Sequence, residues 1–184
     1  MDALRITGLS HNFGSVQALS DVSLTVPRGS FTALLGVNGA GKTTLFSLVT
    51  RLYSNVSGSI EVAGHDLRRQ PAQAMARLGV VFQSRALDAD LMVAQNLAYH
   101  AGLHGIARLA ARDRTRQVLA LTRRLIAAEG VSALWATHIM DEIQPDDDLV
   151  ILHKGRVLSQ GKASSIAGPS GLTQSFLALT GTAA

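Results

Sequence analysis

Phe31-Thr32-Ala33-Leu34-Leu35-Gly36-Val37-Asn38-Gly39-Ala40-Gly41-Lys42-Thr43-Thr44-Leu45-Phe46 decides the fold. An apolar run leads into a glycine-rich turn, and a lysine, two threonines and a resumed apolar pattern follow, so the stretch reads strand, loop, helix. Residues 36–43 match G-x-x-x-x-G-K-[ST] without a departure. Glycines let the backbone curl round a phosphate with its N–H groups pointing inward, at φ values that a Cβ would disfavour. The helix opening at Gly41-Lys42 adds the positive end of its dipole, Lys42 is placed to reach β- and γ-phosphates, and the Thr43 hydroxyl to ligate Mg²⁺. The bland alternative is a glycine-rich turn that carries a lysine by chance. The strand before and the helix after the motif speak against it.

Around that stretch, 184 residues at 47% hydrophobic content suit one domain, or one domain with a small insert, and supply a sizeable core. The absence of cysteine excludes disulfides and thiolate metal sites and fits a reducing compartment, which makes cytoplasm the default expectation. Met1 to Thr7 shows an early acid and strand-like alternation instead of a basic segment followed by an apolar run, so no signal peptide is expected. Elsewhere, apolar stretches are broken by Gly, His or Arg before they reach bilayer length. The net charge of +4 comes mostly from arginine, and six of the fourteen arginines lie between Arg108 and Arg124. Neither stacking aromatics nor glycine-arginine repeats accompany them, so a solvated helical face is favoured over a nucleic-acid surface. A basic nucleic-acid binder on a phosphate-loop scaffold is the outlying alternative.

Upstream of the loop, Leu4 to Thr7 reads as a first strand, His11 to Gly14 as a turn, and Leu19 to Val26 as a half-buried antiparallel strand ending at Pro27-Arg28-Gly29. Phe13 is a lone aromatic at that turn, and beside a nucleotide loop it gains a reading as a face on which adenine stacks. Downstream, Lys42 to Leu52 is helical, Gly58 to Val62 a strand, and Pro71 begins a short helix near Gln73 to Arg77. Leu78 to Phe82 is an apolar strand ending on Gln83. Polar groups at the carboxyl ends of buried strands are where α/β ligand sites are built. Helical patterns cover Leu91 to His104 and Ile106 to Ala128, and Val131 to Thr137 is a strand ending on His138. Asp141 to Ile143 make a helical turn stopped by Pro145. Leu149 to Leu152 and Arg156 to Leu158 are two short strands, and Thr173 to Leu179 is a terminal helix before a frayed tail.

The phosphate loop, the Val81-Phe82-Gln83 strand end and the Ala136-Thr137-His138 strand end, in that order, resemble the ATP-binding subunits of ABC transporters. The resemblance implies an α/β P-loop ATPase core with an N-terminal antiparallel β subdomain and a truncated helical subdomain. It implies a single nucleotide-binding domain over 1–184: β subdomain and loop core in 1–90, helical remnant in 91–128, switch strand and last core strands in 129–165, terminal helix and tail in 166–184. By the same resemblance, ATP is held by Phe13, Gly36, Asn38, Gly39, Ala40, Gly41, Lys42, Thr43 and Thr44. Mg²⁺ is held by Thr43 and Gln83, Gln83 also touches the attacking water, and His138 contacts the γ-phosphate. The implied partners are an integral-membrane permease subunit and a second copy joined through the ATP sites, with no nucleic acid. The implied place is the cytoplasm, peripheral on the inner face of the plasma membrane. Residues 80–105 and 134–158 look closest to the branch found alongside PQQ-dependent alcohol-oxidation systems.

The family places a signature close to L-S-G-G-Q, then an apolar strand ending in Asp-Glu-Pro, between its glutamine and its histidine. Here only 54 residues separate Gln83 from His138, and none carries either motif. Leu158-Ser159-Gln160-Gly161 resembles the signature in letters but follows the histidine. Met140-Asp141-Glu142 has an acid pair with no apolar strand before it, and Asp146-Asp147-Asp148 precedes its apolar run. The join falls near Leu121 to Leu125, as an in-frame internal loss would leave it. Phosphoryl transfer to water needs metal held, water polarised and developing charge neutralised. The carboxylates for the first two duties have no candidate, so weakened nucleotide binding with little or no hydrolysis is expected. The other reading is a nucleotide-binding pseudoenzyme or remnant uncoupled from transport. Losing a central strand also leaves its neighbours short of backbone partners. Either Leu78 to Phe82 pairs with Val131 to Thr137, or the sheet stays open there.

Overall fold

The computed structural model describes residues 2–54, 57–80, 117, 120, 121, 123, 124, 126 and 128–181. The chain resolves into two compact units, residues 1–79 with 126–184, and residues 80–125. In the second unit, the described residues from 117 to 124 are helical. The predicted helix over 91–104, the strand end at Phe82 and Gln83 lie outside the described residues.

In the first unit the elements follow in the order β1 (Asp2–Phe13), β2 (Val16–Pro27), β3 (Phe31–Leu35), α1 (Lys42–Val49), β4 (Ser59–Val62), β5 (His65–Asp66), α2 (Pro71–Met75), β6 (Ala133–Thr137), β7 (Asp148–His153), β8 (Arg156–Lys162), α3 (Ala163–Ala167) and α4 (Leu172–Thr180). A 3₁₀ turn, Met140–Glu142, lies between β6 and β7. The strands form two sheets, ordered β2-β1-β4-β5 and β6-β3-β7-β8.

All five residues of β3 are buried, because the strand pairs in parallel with β6 on one side and β7 on the other. A strand flanked in this way needs apolar residues in both directions, which is why Phe31 to Leu35 does not alternate. Leu34, Val150 and Leu152 share one core with Leu45, Leu48 and Val49 of α1 and with the inward residues of the antiparallel sheet, among them Ile6, Leu24 and Ile60. Phe31, Ala33, Leu35, Leu149 and Ile151 face the other way, onto Ala163 and Phe176 of α3 and α4. The parallel sheet is therefore filled on both faces. Gln160 of β8 ties the two sheets together: its Nε2 donates to the Thr25 carbonyl (2.8 Å) and Oγ1 (2.9 Å), and the Thr25 N–H donates to its Oε1 (3.3 Å). Leu158 to Gly161 thus lie within an antiparallel strand, as befits a chance likeness to the signature.

Three expectations change in detail. The first strand continues through His11 to Phe13, and the turn is Gly14-Ser15. The helix after the loop stops at Val49, where the Thr50 hydroxyl bonds back to the Phe46 carbonyl (2.8 Å) and Arg51 takes a positive φ of 59°. Leu78 to Val80 carry no strand, and among the described residues β6 pairs with β3 alone. Leu78 packs on the core, so its apolar character serves burial and not pairing.

Candidate nucleotide site

At Gly36 and Gly41 the phosphate loop makes close approaches that leave no room for a side chain. A Cβ on Gly36 would lie 2.5 Å from the Leu152 carbonyl oxygen and 2.9 Å from Ala40 Cβ. One on Gly41 would lie 2.8 Å from Leu19 Cδ2 and 2.9 Å from the Ala18 oxygen, and Gly41 sits at φ 104° as the N-cap of α1. Three hydrogen bonds fix the curl. The Gly36 N–H donates to the Thr137 carbonyl (3.2 Å), Ala40 N–H to Val37 (3.1 Å), and Gly155 N–H to Ala40 (2.9 Å). The loop is thereby tied to the ends of both β6 and β7.

α1 begins at Lys42 and its first intrahelical acceptor is the Gly41 carbonyl, bonded by Leu45 N–H at 2.9 Å. The N–H groups of the first turn therefore lack intrahelical partners and point with the dipole toward the loop. The Lys42 ammonium donates to the Gly36 carbonyl (2.6 Å) and the Val37 carbonyl (3.1 Å), which holds it over the loop. Burial pushes its pKa below the ordinary lysine value. Val37, Asn38, Gly39 and Thr43 are exposed, Gly41, Lys42 and Thr44 half-buried, and Gly36 and Ala40 buried.

His138 follows β6 and lies within electrostatic reach of Lys42. Partial burial, then Lys42, lower its pKa, while Glu142 raises it. Phe13, at the end of the β1–β2 hairpin, is 46% exposed. It meets two rings edge-on, His11 at 4.7 Å and Tyr53 at 5.5 Å between centroids, while His11 and Tyr53 stack at 5.8 Å. The hairpin reaches the loop through Ala18 and Leu19 against Gly41. Tyr53, 45% exposed, is fixed to the end of α1 by its N–H on the Ser47 carbonyl (3.0 Å). His11 and Tyr53 carry no motif signal, because 42 positions of sequence separate rings that only tertiary packing brings together.

The structure thus brings the loop, Lys42, Thr43, Thr44 and His138 to the carboxyl ends of parallel strands, with the aromatic hairpin anchored beside them. A glycine loop between a central parallel strand and a helix N-terminus, next to an antiparallel sheet, defines a P-loop ATPase cassette. A family model described as ABC transporter matches residues 19–167, and the chain belongs to that family. It is 38% identical over 117 residues to the daunorubicin resistance ATP-binding protein DrrA3 of Streptomyces coeruleorubidus, a match taking in 64% of this chain and 37% of that protein. It is 28% identical over 207 residues to the ABC transporter ATP-binding protein NatA of Bacillus subtilis, 82% of this chain and 84% of that one. The chain spans little more than a third of the length of the daunorubicin resistance protein. Among solved structures, an ATP-binding subunit of an ABC transporter superposes with a TM-score of 0.67 at 21% identity, covering 96% of this chain and 99% of that one. A dimeric bacterial ABC transporter cassette superposes with 0.64 at 14% identity, covering 86% and 98%. These two likenesses establish the fold.

Proposed function

We propose that the chain binds Mg–ATP through residues 36–44 as the ATP-binding subunit of a transporter, weakly, and hydrolyses it little or not at all. The geometry of the loop carries the binding half. Its glycine curl ends on the open first turn of a helix with an ammonium held across it, which fits a polyphosphate in shape and charge. In this reading Lys42 would neutralise the β- and γ-phosphates and the Thr43 hydroxyl would help to hold Mg²⁺, with Gln83 as the second ligand that the sequence resemblance implies. His138 faces the γ-phosphate, and Phe13 stacks adenine. Mg²⁺, when bound, would supply charge neutralisation at the phosphates.

The hydrolysis half follows from what the sequence lacks between Gln83 and His138. In the NatA match, 82% of 184 residues is about 151 residues against 207 aligned positions, so about 56 positions of that relative face a gap here. This supports an internal loss that includes the signature and the acidic strand. The helical residues up to Glu129 lead directly to β6, and the boundary between the compact units falls at Leu125/Ile126, beside the proposed join. Glu142, the carboxylate near His138, has Oε2 engaged by Thr137 and Trp135. Lacking the signature, the chain could not complete a partner's ATP site in a dimer. We further infer docking on an integral-membrane permease at the inner face of the plasma membrane, in the branch associated with PQQ-dependent alcohol oxidation. Among the described residues no helix is long and apolar enough to cross a membrane.

Mg–ATP affinity and steady-state phosphate release, measured side by side, test the proposal. Saturable binding is expected, with turnover about 10²–10⁴-fold below that of an intact family member, the range that general-base help supplies. Brisk phosphate release abolished by Lys42→Ala would overturn the claim of a crippled site. Phe13→Ala is expected to weaken ATP about 5–150-fold, as loss of one base–aromatic stack does. Inorganic triphosphate should bind equally to both proteins, and an equal loss for the two ligands would remove the adenine role of Phe13.

A further inference from the structure

We propose that Glu142 is a positioning residue for His138: it orients Thr137, and Thr137 in turn fixes the backbone at residue 139, so that the imidazole between them is presented to the phosphate loop. This deepens the proposed function and rests on the reading that His138 and residues 36–44 form one site.

The observations are a chain of hydrogen bonds on the side of β6 away from α1. Glu142 Oε2 accepts from Thr137 Oγ1 at 2.7 Å and from the indole Nε1 of Trp135 at 3.2 Å. The same Thr137 hydroxyl accepts from the Ile139 N–H at 3.0 Å. Thr137 is only 5% exposed, and its carbonyl receives the Gly36 N–H of the phosphate loop. Its side chain is thus set by Glu142, its hydroxyl sets the turn after it, and its carbonyl holds the loop. By the register, Thr137 lies opposite Leu35 and Trp135 opposite Ala33, on the face that packs on α3 and α4. His138 follows at the bend just past the strand end, within electrostatic reach of Lys42 at the start of α1. Glu142 therefore acts on His138 through Thr137 and the peptide chain.

A buried hydroxyl that both donates and accepts has one rotamer to choose, and an ionised acceptor makes that choice firm. The charge of Glu142 has a second effect. The groups that face His138 electrostatically are Lys42 from α1 and Glu142 from the 3₁₀ turn, and they act in opposite directions. Burial and Lys42 favour the neutral imidazole, and Glu142 favours the charged one.

The test uses the full chain without nucleotide, ¹³C-labelled at the histidine rings, with the His138 signal assigned by its loss in His138→Gln. Glu142→Gln is expected to lower the His138 titration midpoint below that of the parent, and Glu142→Asp to leave it nearer the parent value. Thr137→Val keeps the shape and the Glu142 charge but removes the hydroxyl, so it is expected to shift the His138 signals. Both Glu142→Gln and Thr137→Val are expected to weaken Mg–ATP binding about 2–10-fold, the equivalent of one hydrogen bond. Unchanged His138 signals and midpoint in both variants would overturn the proposal, and Thr137→Val decides it if Glu142→Gln does not fold. Because the titration contains no nucleotide, it stands even if the parent fails to bind Mg–ATP, a result that would overturn the functional reading alone.

Discussion

Lys42→Ala raises the dissociation constant for Mg–ATP at least about 100-fold, on the physics of one ammonium bonded to two phosphate groups. Hydrogen bonds to charged partners are each worth about 1.5–3 kcal/mol, so losing two exceeds the roughly 2.7 kcal/mol that equals a hundredfold. The ammonium already lies over the loop, on the Gly36 and Val37 carbonyls, so little reordering is needed to reach a phosphate. Burial lowers its pKa, and the sign of the linkage follows. The folded chain holds this proton less tightly than the unfolded one, so below the folded pKa the charge works against folding, and that penalty fades as pH rises toward the unfolded value. Lys42→Met keeps the apolar stem and removes the charge. It is expected to melt at or above the parent at neutral pH while losing nucleotide just as Lys42→Ala does. Calorimetric titration and a melting scan read both effects. Undiminished affinity in either variant would mean that nucleotide sits elsewhere.

The second large effect is expected away from the phosphates. Gly155 lies at φ 72°, its N–H holds the Ala40 carbonyl, and its own carbonyl receives the Ser20 N–H at 2.8 Å. A Cβ there would stand 2.5 Å from the Ala18 oxygen and 3.0 Å from Leu19 Cα, both backbone atoms that cannot swing aside. Left-handed strain costs about 1–3 kcal/mol and overpacking about 1–3 kcal/mol more. Gly155→Ala should thus lose about 2–6 kcal/mol, a fall in melting temperature of about 4–24 °C. Gly29 provides the control: its φ is 69° but nothing lies within 4 Å of its missing Cβ. Gly29→Ala should lose only about 1–2 kcal/mol. Equal losses in the two variants would show that backbone strain alone is at work and that the turn after β7 does not brace the loop. Nucleotide affinity of Gly155→Ala, measured below its transition, should also fall.

The phosphate loop was legible because its chemistry leaves little choice: Gly36 and Gly41 touch backbone, and Lys42 and Thr43 open a helix. His138 was legible as a polar residue after a strand, and Leu158 to Gly161 lie within β8, where Ser159 to Gly161 pair with β7. The length of β1 was not legible. Register shifts between Ile6 and His11, with Gly8 at φ 59° and Asp21 at φ 53°, interrupt the alternation on which strand reading depends. α3 is five residues long, too short for a helical period to show. Glu142 gives no sequence signal beyond an acid pair without a strand before it, because its contact reaches back across a turn to Thr137. Tyr53 and His11 carry no sequence signal for the same reason, as neighbours made by folding alone.

Trp135 is the single tryptophan of the chain, bonded to Glu142 through its indole and 6.1 Å from the Phe31 ring. Its ultraviolet emission comes from one known place, three residues before His138. The polypeptide therefore carries a built-in optical gauge, and rearrangement of the strand end on ligand capture can be followed in real time without attaching a dye.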